Sequence, residues 1–367
     1  MSDSQTNPGP QGAPLQGARN AGPSAGKVVF AQIEPTTRCN FTCGFCSGRQ
    51  MDQSDLALDD FDRLLESFPD LEHIELQGEG EPLLHKGFFE MARRAKARGI
   101  RLSMITNGSL LSEERVAEIL DVGMVAVNIS LESPEEAAFQ RIRGGRLDKV
   151  KAGIARLLAA RNARGQTEPK VGFAVTVLRE TVESLPQIAA LYRELGMDGG
   201  ATFQALSRMD AYTDVYDSEM VDQLLSPEAR QRFVELREAP DIKAMMAAAS
   251  TGDHFYPEMS RRFRPEHGCP WVKGGLYVDR HGAMTTCCMV KDSATYGLGK
   301  LGITPVEAVL EQRRDLDAEL EAGRPPAQCL GCGYYRTPAM REARRRRKLA
   351  QLARYDFARV VEPVKPG

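Results

Sequence analysis

Cys39-Asn40-Phe41-Thr42-Cys43-Gly44-Phe45-Cys46 places three cysteines within eight residues, spaced C-x3-C-x2-C. It follows an apolar stretch, Val28–Glu34, that reads as a strand. Three thiolates at this spacing bind three corners of an iron–sulfur cube and leave the fourth iron without a protein ligand. A zinc site is the alternative. Zinc usually takes four closed ligands, and no Cys or His follows Cys46 before His73.

Working outward, the chain from Lys27 to about Leu206 alternates short apolar stretches with amphipathic ones. The expected strands are Val28–Glu34, His73–Gln77, Arg101–Ile105, Val125–Leu131, Lys170–Leu178 and Ala201–Leu206. The expected helices are Leu58–Ser67, Lys86–Arg98, Ser112–Val122, Leu147–Arg164 and Val182–Leu195. Ser112 reads as an N-cap, and Gly99, Gly123 and Gly196 as stops. Such alternation predicts an α/β fold, a parallel sheet with right-handed crossovers built as a partial (β/α)6, TIM-like barrel. Ligands in such folds gather at the carboxyl ends of the strands. Those ends carry Cys39, then Gly78-Glu79-Gly80-Glu81-Pro82, then Thr106-Asn107-Gly108, then Ser130-Leu131-Glu132-Ser133.

The chain has 367 residues, enough for about two domains. Its 48 basic and 50 acidic side chains leave a net charge of −2, so no global pull toward nucleic acid or membrane is expected. No apolar run approaches the roughly 18 residues that span a bilayer. Residues 1–26 are rich in Pro, Gly, Ala, Ser and Gln, have no apolar h-region, and read as a disordered leader. A cytoplasmic location is expected. There, eight cysteines serve as metal ligands more readily than as disulfides.

From Met209 to Phe263 the pattern is helical and less regular. Its Tyr212, Tyr216, Met220, Met245, Met246, Phe255 and Tyr256 read as core, with a substrate channel as the alternative. A second cysteine region follows. Gly275–Asp279 and Ala283–Thr286 read as a hairpin turning at Arg280-His281-Gly282, between Cys269 and Cys287. Cys329 and Cys332 form a C-x2-C pair. A zinc ribbon is open here as well, although its cysteines more often pair as CxxC…CxxC.

The first motif resembles that of the radical S-adenosylmethionine (SAM) superfamily, in which CxxxCxxC holds a [4Fe–4S] cluster. Phe45 matches the aromatic residue often found before the last cysteine. Gly78–Pro82 looks like the family's GGEP segment, which contacts the amino group of SAM, with Glu79 where glycine is commoner. Glycines let backbone approach a ligand, and an acid such as Glu81 suits an ammonium. Ser130 and Glu132 resemble the strand-four position that reaches the ribose or carboxylate of SAM. Asn107 resembles a strand-three residue lining the same pocket. Arg143, in Ile142-Arg143-Gly144-Gly145, matches a recurring segment and pairs with a carboxylate, or else forms a surface salt bridge.

The resemblance implies that Cys39, Cys43 and Cys46 hold the cluster and that its open iron chelates SAM. One electron, from an external flavodoxin- or ferredoxin-type reductant, then cleaves the S–C5′ bond. Methionine and a 5′-deoxyadenosyl radical result, and the radical takes hydrogen from a substrate. The second cysteine set resembles the SPASM/twitch extension, where a hairpin and a helix, here Pro305–Glu321, carry an auxiliary [4Fe–4S] cluster. Eight cysteines less three leave five. Four of them, Cys269, Cys287, Cys329 and Cys332, make one closed ligand set. Cys288 is the spare, because adjacent side chains on a strand point to opposite faces. The implied organisation is a leader (1–26), a barrel (27–240), a cysteine-rich hairpin and helix domain (241–336) and a basic helical tail (337–367). In the tail, Arg344-Arg345-Arg346-Arg347-Lys348 reads as a solvated face, with a binding patch as the alternative.

A closed auxiliary cluster suits electron transfer, which favours net oxidation, such as dehydrogenation or radical cross-linking, with a small molecule as the leading substrate reading. Modification of a ribosomally made peptide is the alternative. The short, polar leader is too small to fold as a leader-binding domain, which tilts the reading toward a small molecule. A non-enzymatic iron–sulfur or zinc protein is the reading of a different class. No catalytic base stands out. Asp210, Tyr212, Asp279 and His281 are polar candidates for which surface or turn roles are the alternative.

Overall fold

Six strands run parallel in chain order, each joined to the next by helical segments. The computed structural model describes residues 26–206, 221–251, 255–263, 269–330, 332, 335, 337–343 and 346. The strands are β1 (Phe30–Ile33), β2 (His73–Leu76), β3 (Arg101–Thr106), β4 (Ala126–Ser130), β5 (Lys170–Val177) and β6 (Ala201–Ala205). Register is direct: Phe30 pairs with His73, His73 with Arg101, and Ser103 with Ala126. The crossover helices are α1 (Leu58–Ser67), α2 (Phe88–Ala97), α3 (Glu113–Asp121), α4 (Glu136–Arg143), α5 (Leu147–Ala163) and α6 (Leu185–Glu194). The expected α/β partial barrel is therefore present.

Strand periodicity explains where the site lies. Side chains alternate between the two faces of a strand. Ile33, Leu76, Met104, Ile129 and Val177 join Phe61, Met91, Ile119, Leu157 and Ile188 of the helices in one buried core. Each such fully buried side chain contributes about 1.5–3 kcal/mol. The opposite face carries Gln32, Gln77, Ser130 and Thr176, and a cavity opens there. That face thus mixes polar and apolar side chains, while the main apolar core lies beneath the helices.

Two details of the helices depart from expectation. α4 was not foreseen, and it positions Arg143. α6 begins at Leu185, later than the expected Val182, after a 3-10 segment, Arg179–Ser184. Pro186 explains the delay. It fits the first helical turn, where its missing N–H is not needed.

After α7 (Pro227–Arg237) and α8 (Pro240–Thr251), α9 (Phe255–Phe263) packs against the barrel interior. Phe255 meets Phe30 edge-on at 5.5 Å and His73 at 5.3 Å. A short α10 (Pro270–Gly274) leads into the expected hairpin, β7 (Gly275–Val278) and β8 (Ala283–Thr285). β7 pairs in parallel with β1, Phe30 opposite Gly275, so the hairpin extends the barrel sheet. β9 (Gly299–Lys300) completes a nine-stranded order, β6-β5-β4-β3-β2-β1-β7-β8-β9. α11 (Ser293–Tyr296) and α12 (Val306–Glu321) follow. Arg313 of α12, fully buried, donates to Val272 O at 2.8 Å and to Gly275 O, which clamps the start of β7.

Candidate active site

β1 leaves the sheet at Ile33, and neighbouring backbone holds the next residues. Glu34 N donates to Val278 O at 2.9 Å, Gly80 N to Thr36 O at 3.1 Å and Glu81 N to Arg38 O at 2.8 Å. The cysteine loop that follows rests on the end of α4. Thr42 N donates to Arg143 O at 2.9 Å and Gly44 N to Ile142 O at 3.3 Å. The Gly144-Gly145 pair permits this contact. Gly144 has φ +69°, and a Cβ there would lie 2.0 Å from Thr42 Oγ1. A Cβ on Gly145 would lie 2.2 Å from the Phe41 ring.

Cys39 is exposed, Cys43 buried and Cys46 partly buried. Burial raises all three thiols, Cys43 to about 11. Glu81 beside Cys39 and Glu79 beside Cys46 add to the rise, and the Arg143 guanidinium opposes it at Cys43. Thiols of this kind give up their protons when they bind iron.

The three cysteines share a cavity of about 410 Å³ with Gly78, Glu79, Gly80, Glu81, Asn107, Ser130 and Arg143. The glycines here serve contact of protein with protein. A Cβ on Gly78 would lie 2.2 Å from Glu34 Cγ, and one on Gly80 would lie 2.4 Å from Thr36 O. Glu81 is buried and spends its carboxylate on the loop ends. It accepts from Thr106 Oγ1 at 2.7 Å, Asn107 N at 2.7 Å and Leu83 N at 3.2 Å. Asn107 Nδ2 donates to Asn40 Oδ1 at 2.9 Å, which ties the third strand end to the cysteine loop.

Glu132 is the exception among the expected ligand contacts. It is buried and does not line this cavity. Arg143 Nη2 donates to its Oε1 at 2.6 Å, and Nε donates to Oε2. The carboxylate expected to reach SAM instead orients the arginine. Arg143 Nη1 in turn stands 3.8 Å from Cys43 Sγ.

Glu79 bridges two regions. Its N–H donates to Glu34 Oε1 at 2.9 Å, while Cys46 Sγ donates to its O at 3.4 Å and its Oε2 at 3.6 Å. Its Oε1 lies 2.6 Å from Lys291 Nζ. Lys291 also sits 4.8 Å from the centroid of the Tyr277 ring. No pattern in the sequence marks Lys291, because its partner is supplied by a distant loop.

Cys269, Cys287, Cys329 and Cys332 line a second, narrow cavity walled by Trp271, Val272, Leu320 and Tyr335. Burial raises Cys269 to about 11 and Cys329 to about 12. Cys288 lines a different cavity. The two adjacent cysteines lie just past the end of β8, so a turn, and not strand alternation, separates them. Among the described residues no three His, Cys, Asp or Glu side chains converge as donors to a single ion. Thiol-only donors around one cavity, three in the first set and four in the second, fit an iron–sulfur cluster in each.

A third cavity, of about 460 Å³, lies between these two. It shares Phe45, Gln77, Glu79, Ser130 and Thr176 with the first and Trp271 and Met289 with the second. Tyr256, read as core, lines it, with its hydroxyl 2.7 Å from Gln32 Oε1 and 2.6 Å from Gln77 Oε1. Met245 and Phe255 are buried as expected. Asp279 serves the hairpin turn, accepting from His281 N and Ala283 N at 2.9 Å each. His281 faces Asp52 at 2.9 Å and is half-exposed. Neither lines a cavity described above. Asp210, Tyr212, Met209, Tyr216 and Met220 lie outside the described residues, as do Arg344, Arg345, Arg347 and Lys348 of the tail.

Residues 33–192 match the Radical SAM superfamily model. That stretch, under half of the chain, is similar to a radical SAM domain. It is 33% identical over 177 residues to the tungsten-containing aldehyde ferredoxin oxidoreductase cofactor-modifying protein of Pyrococcus furiosus, covering 47% of this chain and 50% of that protein. It is 28% identical over 188 residues to the PqqA peptide cyclase of Bradyrhizobium diazoefficiens, covering 50% and 48%. The chain thus spans about half the length of the curated relatives it matches. The likeness in fold extends further. Streptococcus suis SuiB bound to S-adenosylmethionine superposes with a TM-score of 0.62 at 15% identity, covering 84% of this chain and 72% of that one. SuiB bound to its precursor peptide SuiA superposes at 0.60, also with 15% identity, covering 84% and 70%. No helix among the described residues is long and apolar enough to cross a membrane.

Proposed function

We propose that this chain is a radical SAM enzyme that oxidises a polar substrate held in the barrel cavity, with an auxiliary [4Fe–4S] cluster receiving the electron. The observation that carries the reading is the position of the cavity of about 460 Å³. It shares walls with the three-cysteine site on one side and the four-cysteine site on the other. When bound, cluster and SAM supply one-electron cleavage and a radical that takes hydrogen from the substrate.

The chain's own residues do the rest. Cys39, Cys43 and Cys46 would hold the first cluster. Gly78, Glu79, Gly80, Glu81, Asn107, Ser130 and Arg143 would shape the space for SAM beside it. Cys269, Cys287, Cys329 and Cys332 would hold the second cluster in an apolar shell that excludes water. The cavity walls carry the hydrogen-bonding side chains Gln32, Gln77, Ser130, Thr176, Thr202 and Tyr256, together with the Glu79–Lys291 ion pair. Such walls suit a small molecule bearing hydroxyl, amide or amine groups. The reading includes a cytoplasmic location and an external flavodoxin- or ferredoxin-type reductant.

A second reading, peptide modification, is favoured by the similarity to PqqA peptide cyclase and the fold shared with SuiB. In it, the cavity admits one side chain of a bound peptide. Anaerobic reconstitution with iron and sulfide tests the shared part of both. Two cubes correspond to about eight irons per chain, and reduction in the presence of SAM then releases 5′-deoxyadenosine. Protein that binds only zinc and leaves SAM intact would end both readings. Product formation from small polyols or amines, against none from peptides, separates the first from the second.

A further inference from the structure

Two largely buried ion pairs flank the cysteine loop, and they face it in opposite senses. In the pair Arg143–Glu132 the cation is the member next to sulfur, with Nη1 at 3.8 Å from Cys43 Sγ. In the pair Lys291–Glu79 the anion is the member next to sulfur, with Oε2 at 3.6 Å from Cys46 Sγ. The first arrangement favours negative charge on the loop. The second opposes it, since binding iron turns the Cys46 thiol into a thiolate. Glu79 occupies this place because its N–H is held by Glu34 Oε1 and its carbonyl faces Cys46. The charge is balanced from across the cavity by Lys291 Nζ at 2.6 Å. Both side chains are less than one-fifth exposed, so water screens the pair weakly. Lys291 is itself oriented by Tyr277, whose hydroxyl lies 3.4 Å from Nζ.

We propose that Lys291 is a positioning residue for Glu79, and that this pair sets the reduction potential of the cluster held by Cys39, Cys43 and Cys46. The inference rests on the cluster assignment made under the proposed function. Net charge beside a cluster and contacts to its sulfurs are the terms through which protein tunes its potential. One electron enters the oxidised cluster, no bond is made or broken, and a nearby anion opposes that electron. Lys291 offsets the opposition. Its place four residues after Cys287 joins the auxiliary cysteine segment to the loop that faces SAM.

The test is a redox titration of the reconstituted full chain with dithionite, read by electron paramagnetic resonance. The cluster of interest is the one whose signal changes on adding SAM. Lys291→Met should lower its midpoint potential and Glu79→Gln should raise it. Lys291→Arg, which keeps the charge, should stay near the parent, and the double variant should fall between the singles. Variants that hold full iron yet titrate with the parent overturn the inference. Should Lys291→Met fail to hold iron, Glu79→Gln still decides, because an unchanged or lowered potential there has the wrong sign. A parent chain with no SAM-responsive cluster overturns the cluster assignment, and this inference with it.

Discussion

The guanidinium of Arg143 engages both carboxylate oxygens of Glu132, and its remaining nitrogen points at Cys43 Sγ, 3.8 Å away. The pair is almost fully buried. Removing one member of such a pair leaves an uncompensated charge, at about 3–5 kcal/mol. Glu132→Ala should therefore destabilise the folded chain by about that amount in urea unfolding. Arg143→Lys should also lose the forked geometry that holds the side chain beside Cys43. A Glu132→Ala variant within about 1 kcal/mol of the parent would show that the pair is not the anchor described.

Cys287 and Cys288 are neighbours in sequence but line different cavities. Cys287→Ser should cut the reconstituted iron from about eight to about four atoms, whereas Cys288→Ser should leave it unchanged. Cys329→Ala should behave like Cys287→Ser and leave SAM cleavage uncoupled from product. Cys43→Ala should abolish SAM cleavage. Iron counting with release of 5′-deoxyadenosine reads all four, and equal iron in the first two would contradict the assignment.

Gly80 packs its Cα against the chain leaving β1, where a Cβ would stand 2.4 Å from Thr36 O and 2.6 Å from Arg38 O. These are backbone atoms and cannot rotate away. Gly80→Ala should force the loop off the strand exit, with about 1–3 kcal/mol lost in stability. SAM affinity should fall in parallel, measured by equilibrium dialysis of the reconstituted protein. A variant with unchanged stability would show that the loop yields without strain.

Glu75, on the polar face of β2, is fully buried. Burial lifts its carboxyl to about 7, with the Ser103 hydroxyl opposing the rise. The folded value lies above the unfolded one of about 4.3. The protonated form is thus favoured by folding, and its contribution is full below about 4.3 and lost as pH rises through 7. Glu75→Gln should flatten this part of the profile, so that the variant gains relative to the parent between pH 5 and pH 8. Parallel stability curves over that window, from urea midpoints, would remove Glu75 as the cause.

Much of the barrel was legible from the chain alone, because it depends on local periodicity. Apolar residues spaced for strands and for helical faces gave α1 at its observed bounds, and β1 to β6 within two residues at each end. Ser112 caps α3 through its side chain, accepting from Arg115 N at 3.3 Å, as its position implied. The cysteine spacing is local as well, which is why three cysteines sharing one cavity could be read directly. α4 escaped notice because it is short and its role comes from Arg143 reaching a carboxylate on the β4 exit.

What only the tertiary structure decided is who faces whom across long separations. Glu132 was expected at the ligand and sits behind Arg143, because a buried guanidinium requires a carboxylate close by. The hairpin was foreseen, yet its parallel pairing with β1 was not, since strand order depends on an edge left free elsewhere in the sheet. Lys291 and Glu79 carry no joint signal in sequence, and they meet only because that pairing brings the hairpin beside the Gly78–Pro82 loop. The sequence by itself determined the strand–helix alternation and the C-x3-C-x2-C spacing, which rest on near neighbours. The charge pairs and the cavity between the thiol sets arise from packing, where distant segments meet and desolvation dictates their partners.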